Sequence, residues 1–196
     1  MSKKSTAMPL IILVIFIGVI IYIANSSKPT PNPGPTPTPP PTPTNYATMT
    51  SLELAKLCLP MEGNVMHSHP HLSMIANKQI VTLPAEIGID DQKQCLTSLH
   101  THDASGTIHI EAPVQKDFIL SDFFAVWNKP FNKNQILDFK VDAEHGLKFY
   151  VDGKESSDFE NVMLKDHQEL FIDYYNLKDG PDTVPPPVKN TEKAKA

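Results

Sequence analysis

Six of the chain's eight histidines fall between His67 and His109, in two tight groups. Imidazole at that density is the ligand chemistry of zinc and copper. The first group reads Val65-Met66-His67-Ser68-His69-Pro70-His71-Leu72, and the second runs from Leu99-His100-Thr101-His102-Asp103 through Ile108-His109-Ile110-Glu111. Both groups space their histidines by two. Side chains at i and i+2 share a face of an extended strand, so His67, His69 and His71 are expected to project together, and so are His100 and His102.

The second group predicts more. Asp103-Ala104-Ser105-Gly106 is turn chemistry between two alternating runs, which reads as a hairpin. A turn centred on Ala104-Ser105 sets His102 opposite Thr107, His100 opposite His109 and Ser98 opposite Glu111. One face then carries His100, His102, His109 and Glu111, and the other carries Leu99, Thr101, Ile108 and Ile110. A slip of one residue would turn the imidazoles toward the isoleucines, so burial of one face selects this register. Directly opposed residues hold their Cβ atoms roughly 4.5–5.5 Å apart, which suits two imidazoles converging on one ion. Three neutral imidazoles and a carboxylate form a plausible ligand set for Zn(II) or Cu(II). The Irving–Williams order favours Cu(II) at a histidine-rich site, which makes copper the first choice of ion and zinc the second.

The elements that must hold these residues are short. Thr50-Ser51-Leu52-Glu53-Leu54-Ala55-Lys56-Leu57-Cys58 reads as a helix capped by Thr50 or Ser51 and ended before Pro60. Leu72 to Pro84 reads as a hairpin turning at Asn77-Lys78, with Leu72, Met74, Val81 and Leu83 on one face. Pro70 has no amide to donate, which places the first histidine group at a sheet edge or ahead of a strand. A second helix is expected around Phe118 to Trp127, with Ser121 as N-cap and its aromatic stripe in the core. Strands follow over Ile136–Val141, Leu147–Val151 and Glu169–Tyr175. His145 and His167 fall in turn contexts and are expected to be solvated. The fold class is therefore α+β: a small mixed sheet of β-hairpins with one or two short helices.

Both ends of the 196-residue chain are too biased in composition to join that domain. After a short lysine-bearing stub (residues 1–6), residues 7–25 form an uncharged apolar run long enough to span most of a bilayer core of about 30 Å. It reads as an uncleaved transmembrane anchor, with a removed signal peptide as the alternative. Lys3 and Lys4 ahead of it predict a cytoplasmic N-terminus and an extracytoplasmic domain in a single-pass cell-membrane protein. Residues 26–45 are rich in Pro and Thr and read as an extended spacer at ~3.1 Å per residue. The His-rich domain is expected over residues 46–178, and residues 179–196 read as a disordered tail. A formal charge of −5 with no basic patch argues against a nucleic-acid partner, and no feature names a protein partner.

Cys58 and Cys95 are the only cysteines. In an exported domain the pair reads first as a disulfide that ties the start of the domain to the strand bearing His100 and His102. The competing reading makes one or both thiolates metal ligands.

On the His-x-His run and the Leu-His-Thr-His-Asp-x-x-Gly-x-Ile-His-Ile-Glu segment at residues 99–111, the chain resembles a group of exported, membrane-tethered prokaryotic His-rich proteins. The resemblance takes in Asp122-Phe123-Phe124-Ala125-Val126-Trp127 as well and spans about residues 65 to 175; it implies no activity. Val151-Asp152-Gly153-Lys154 and Leu164 to Ile172 are similar to the last hairpin of ubiquitin-like β-grasp domains, which implies a β-grasp-like C-terminal half and no chemistry. Cupin, metallo-β-lactamase and blue-copper patterns do not fit the spacing. No nucleophile triad or phosphate loop is present, so a non-catalytic copper or zinc binder or carrier is the expected function. The alternatives are a zinc-dependent hydrolase or hydratase, with Glu111 or Asp103 as base, and an interaction module without metal.

Overall fold

The computed structural model describes residues 43–182. The expected anchor, most of the Pro/Thr spacer and most of the tail lie outside the described residues. Among the described residues no helix is long and apolar enough to cross a membrane.

The domain is α+β. Helix α1 (Pro43–Thr48) overlaps the end of the expected spacer and leads into buried Tyr46 packing. Helix α2 (Ser51–Ala55) is closed by a capping box: the Glu53 N–H donates to Thr50 Oγ1 at 3.2 Å, and the Thr50 N–H donates to Glu53 Oε2 at 2.8 Å. It buries Leu54 and Ala55 and stops before Leu57, shorter than the leucine spacing suggests.

Strand β1 (Met66–Ser68) carries His67. Strand β2 (His71–Ala76) buries Leu72, Met74 and Ala76 on one side, the expected alternation, and turns through Asn77 and Lys78, both at positive φ, into β3 (Gln79–Ile80). Strands β4 (Ile89–Asp90) and β5 (Cys95–Leu96) form a two-stranded ladder beside the Cys58–Cys95 disulfide. No cysteine is free, so the thiolate-ligand reading does not hold. Strands β6 (Leu99–His100) and β7 (His109–Ala112) follow.

Helix α3 (Leu120–Trp127) buries Leu120, Asp122, Phe123 and Phe124. Its N-cap is Ile119, not Ser121. Cap duty falls to Asp122, whose Oδ2 accepts from the Ile119 N–H at 3.1 Å, while Ser121 already lies in the first turn. The expected strand over Ile136–Val141 is broken: β8 (Phe131–Asn132), β9 (Gln135–Ile136) and β10 (Phe139–Lys140) make a small meander, because Leu137 adopts φ +51 and turns the chain. Strands β11 (His145–Val151), β12 (Lys154–Glu155) and β13 (Glu169–Asn176) complete the domain.

Two sheets position the candidate site. A five-stranded sheet runs β12-β11-β13-β2-β3, with β13 and β2 parallel and the other pairs antiparallel. A three-stranded antiparallel sheet runs β1-β7-β6, and β7 is its centre. On β7, Ile110 and Ala112 are fully buried in the hydrophobic core with Leu99 and Ile108, so His109 and Glu111 must face the opposite side. Burying apolar side chains of this size contributes about 1.5–3 kcal/mol each, which locks the register that aims the polar face.

Candidate metal centre

The register of the central strand brings both histidine groups to one face. His100 pairs with His109 and Leu99 with Ile110 across β6 and β7, as the apolar pattern predicts. On the other edge of β7, His67 pairs with Glu111 and Ser68 with Ile110. The expected ladder does not continue to His102 and Thr107. Strand β6 ends at His100, Asp103 Oδ1 accepts from the Ser105 N–H at 2.8 Å to form a side-chain-closed turn, and Thr107 bridges to His71 instead.

Five imidazoles and two carboxylates converge as a result. His67 and His69 hold their Nε2 atoms 3.1 Å apart, and His100 and His102 hold theirs 3.2 Å apart. His109 lies between the pairs. Its ring is edge-on to His69 at 4.7 Å and to His102 at 4.5 Å between centroids, and stacked on His100 at 5.4 Å. Glu111 reaches both sides: Oε1 is 3.1 Å from His67 Nε2 and 3.8 Å from His109 Nδ1, and Oε2 is 3.9 Å from His100 Nε2. His67, His69, His109 and Glu111 keep one donor atom each within 4.8 Å of one another, and so do His100, His102 and His109, and Glu62, His100 and Glu111. Bonds of about 2.0–2.1 Å to a tetrahedral ion put neighbouring donors roughly 3.3 Å apart, so these separations suit a shared ion.

Local structure sets each donor. His100 Nδ1 is 3.0 Å from the Thr97 carbonyl oxygen. A carbonyl can only accept, so Nδ1 carries the proton and the Nε2 lone pair points at His102 and Glu111, the orientation a metal-ligating histidine takes. The His69 N–H donates to Asp166 Oδ1 at 2.9 Å, which fixes the chain just past β1. Gly63 lies so close to the Ala112 backbone that a Cβ there would overlap it, and this contact lays the Glu62 segment against the end of β7. Glu62 Oε1 then stands 3.9 Å from His102 Nε2.

The electrostatics favour the neutral form of the two more buried imidazoles, His100 and His109. Burial, followed by the neighbouring His102, His69, His100 and His67, pushes the His109 pKa down to about 4. Burial also lowers that of His100, against the Thr97 hydrogen bond. Burial and the nearby Glu62 carboxylate push Glu111 up. His109 Nδ1 and Glu111 Oε2 are buried and have no hydrogen-bond partner. Orphaned buried polar atoms of this kind cost on the order of 1–3 kcal/mol each, and a cation would satisfy both.

No family model matches this chain, and no curated protein and no solved structure matches it either.

One expected ligand is elsewhere. His71 opens β2, beyond Pro70, and both its ring nitrogens are used: Nδ1 is 3.0 Å from Glu169 Oε2 and Nε2 is 2.9 Å from the Ser105 carbonyl oxygen. It is a buried clamp between the larger sheet and the loop that joins β6 to β7, separated from its group because the chain leaves β1 after Ser68 and enters a different sheet at His71. His145 is not solvated as expected; its ring stacks on Tyr174 at 5.1 Å and its Nδ1 lies 3.0 Å from Asp142 Oδ1. His167 is exposed and paired with Asp166. Glu62 was not legible as a site residue, since its only sequence signal is the adjacent Gly63.

Proposed function

We propose that this domain is a membrane-tethered, extracytoplasmic binder or carrier of a transition-metal ion, copper or zinc, held by His67, His69, His100, His102 and His109 with Glu111. What supports the reading above all is that His109 Nδ1 and Glu111 Oε2 are buried without a hydrogen-bond partner in the middle of a cluster of imidazoles. Borderline cations favour that donor set, whereas Mg(II) and Ca(II) take oxygen ligands. The apolar run at residues 7–25 supplies the tether in this reading, and the Pro/Thr segment supplies the distance from the bilayer. The order of the larger sheet supports a β-grasp-like reading: hairpins β2-β3 and β11-β12 lie on either side of β13, which runs parallel to β2. That similarity adds no chemistry.

Metal analysis of the full chain, purified at pH 7 without a histidine tag and dialysed, tests the proposal. Copper or zinc should be retained in at least stoichiometric amount and should be lost when His100 and His109 are both replaced by Ala. A chain that retains no ion and takes up neither Cu(II) nor Zn(II) in calorimetry would leave an interaction module as the better reading.

A further inference from the structure

The cluster holds more donors than one ion can use. Glu62, His67, His69, His100, His102, His109 and Glu111 all appear in its donor groups, whereas a zinc ion takes about four ligands. The donors also separate in space. His67 lies on β1 and His100 on β6, on opposite sides of β7. With strands about 4.8 Å apart, their backbones stand roughly 10 Å from each other. The close imidazole pairs are therefore two, one at each flank: His67 with His69, and His100 with His102.

We propose that the site binds two divalent ions of the zinc or copper class, with the Glu111 carboxylate bridging them; this rests on the metal-binding reading above. One ion takes His67, His69 and Glu111 Oε1. The other takes His100, His102, Glu62 and Glu111 Oε2. Glu111 is placed for this role because its two oxygens face different pairs, Oε1 toward His67 at 3.1 Å and Oε2 toward His100 at 3.9 Å, and because the buried Oε2 has no hydrogen-bond partner. The unpartnered Nδ1 of His109, 3.8 Å from Glu111 Oε1, joins the first ion's shell. Ions sharing a carboxylate sit about 3.5–4 Å apart. The rim of the pair is open: the side chains of His67, His102 and Glu62 are 61%, 47% and 55% exposed. The remaining coordination positions therefore fall to water or to an incoming anionic or neutral donor.

The experiment uses the metal-free full chain, without a histidine tag, titrated with Zn(II) by calorimetry and native mass spectrometry and with Cu(II) by electron paramagnetic resonance. The parent should bind two ions per chain, and the Cu(II)-loaded parent should show the depleted intensity of a spin-coupled pair. The double variants His67→Gln/His69→Gln and His100→Gln/His102→Gln should each bind one ion and give an uncoupled signal of full intensity. One ion per chain in the parent, or two Cu(II) ions with uncoupled signals, would overturn the bridged pair and leave metal binding standing. No bound ion would overturn both. The parent's spectrum decides the question even if a double variant fails to fold.

Discussion

Glu111 and His67 face each other across the β1–β7 ladder, with Glu111 Oε1 3.1 Å from His67 Nε2. The carboxylate is almost wholly buried while the imidazole is mostly exposed, so one partner is held by the core and the other closes over it from solvent. This asymmetry separates affinity from stability at Glu111.

Glu111→Gln keeps the shape and removes the charge. Burial raises the Glu111 pKa, which means that the folded state disfavours its ionised form at neutral pH. The metal-free variant should accordingly unfold at an equal or higher denaturant midpoint than the parent, while its Zn(II) affinity falls at least about tenfold, or ~1.4 kcal/mol. A variant that binds as tightly as the parent would remove Glu111 from the ligand set.

His71→Ala should do the reverse. Its ring joins Glu169 on β13 to the Ser105 carbonyl and lies outside the cluster. Losing both contacts should cost roughly 1–3 kcal/mol of stability with metal stoichiometry unchanged. Urea unfolding and metal analysis of the same preparation check both halves.

Acid should weaken the metal-free fold well above the usual carboxylate range. The His109 pKa is about 4 in the folded state against an ordinary 6.5, and that of His100 is lowered too. Between those values the unfolded chain binds the proton more readily. The stability is complete above about pH 6.5 and is lost as pH falls toward 4. Glu111 and Asp173 act with the opposite sign, since burial raises both and so favours the folded state in acid; replacing His109 isolates the imidazole contribution. Denaturant unfolding at pH 7 and pH 4.5 should show the lower stability at pH 4.5, with the difference shrinking in His109→Gln. A pH dependence that is the same in the parent and in His109→Gln would show that His109 does not contribute to it.

Reducing the Cys58–Cys95 disulfide should loosen the approach to β6 without removing a ligand. The bridge closes a loop of 37 residues, and the chain-entropy model values that at about 4 kcal/mol. The parent should yield no titratable thiol when unfolded without reductant. The reduced chain should melt lower yet still take up metal, and loss of metal binding on reduction alone would tie the disulfide to the site.

By itself the sequence determined the central hairpin: Leu99, Ile108 and Ile110 demand burial, strand periodicity is two, and together these dictated that His100 should meet His109 with Glu111 on the same face. The cysteine pair and the capping of α2 were legible for the same reason, since each depends on residues close in sequence or on an isolated pair. Only the tertiary structure decided what stands on the far side of β7. His67 and His71 look equivalent in a period-two run, but the chain changes sheets between them, so His67 pairs with Glu111 and His71 with Thr107 and Glu169. Glu62 enters the cluster through the contact of Gly63 with Ala112, about fifty residues away along the chain, a proximity that no local pattern encodes. Partner choice between strands distant in sequence is set by how the whole core closes, and that choice turned a three-histidine hairpin into a five-histidine cluster.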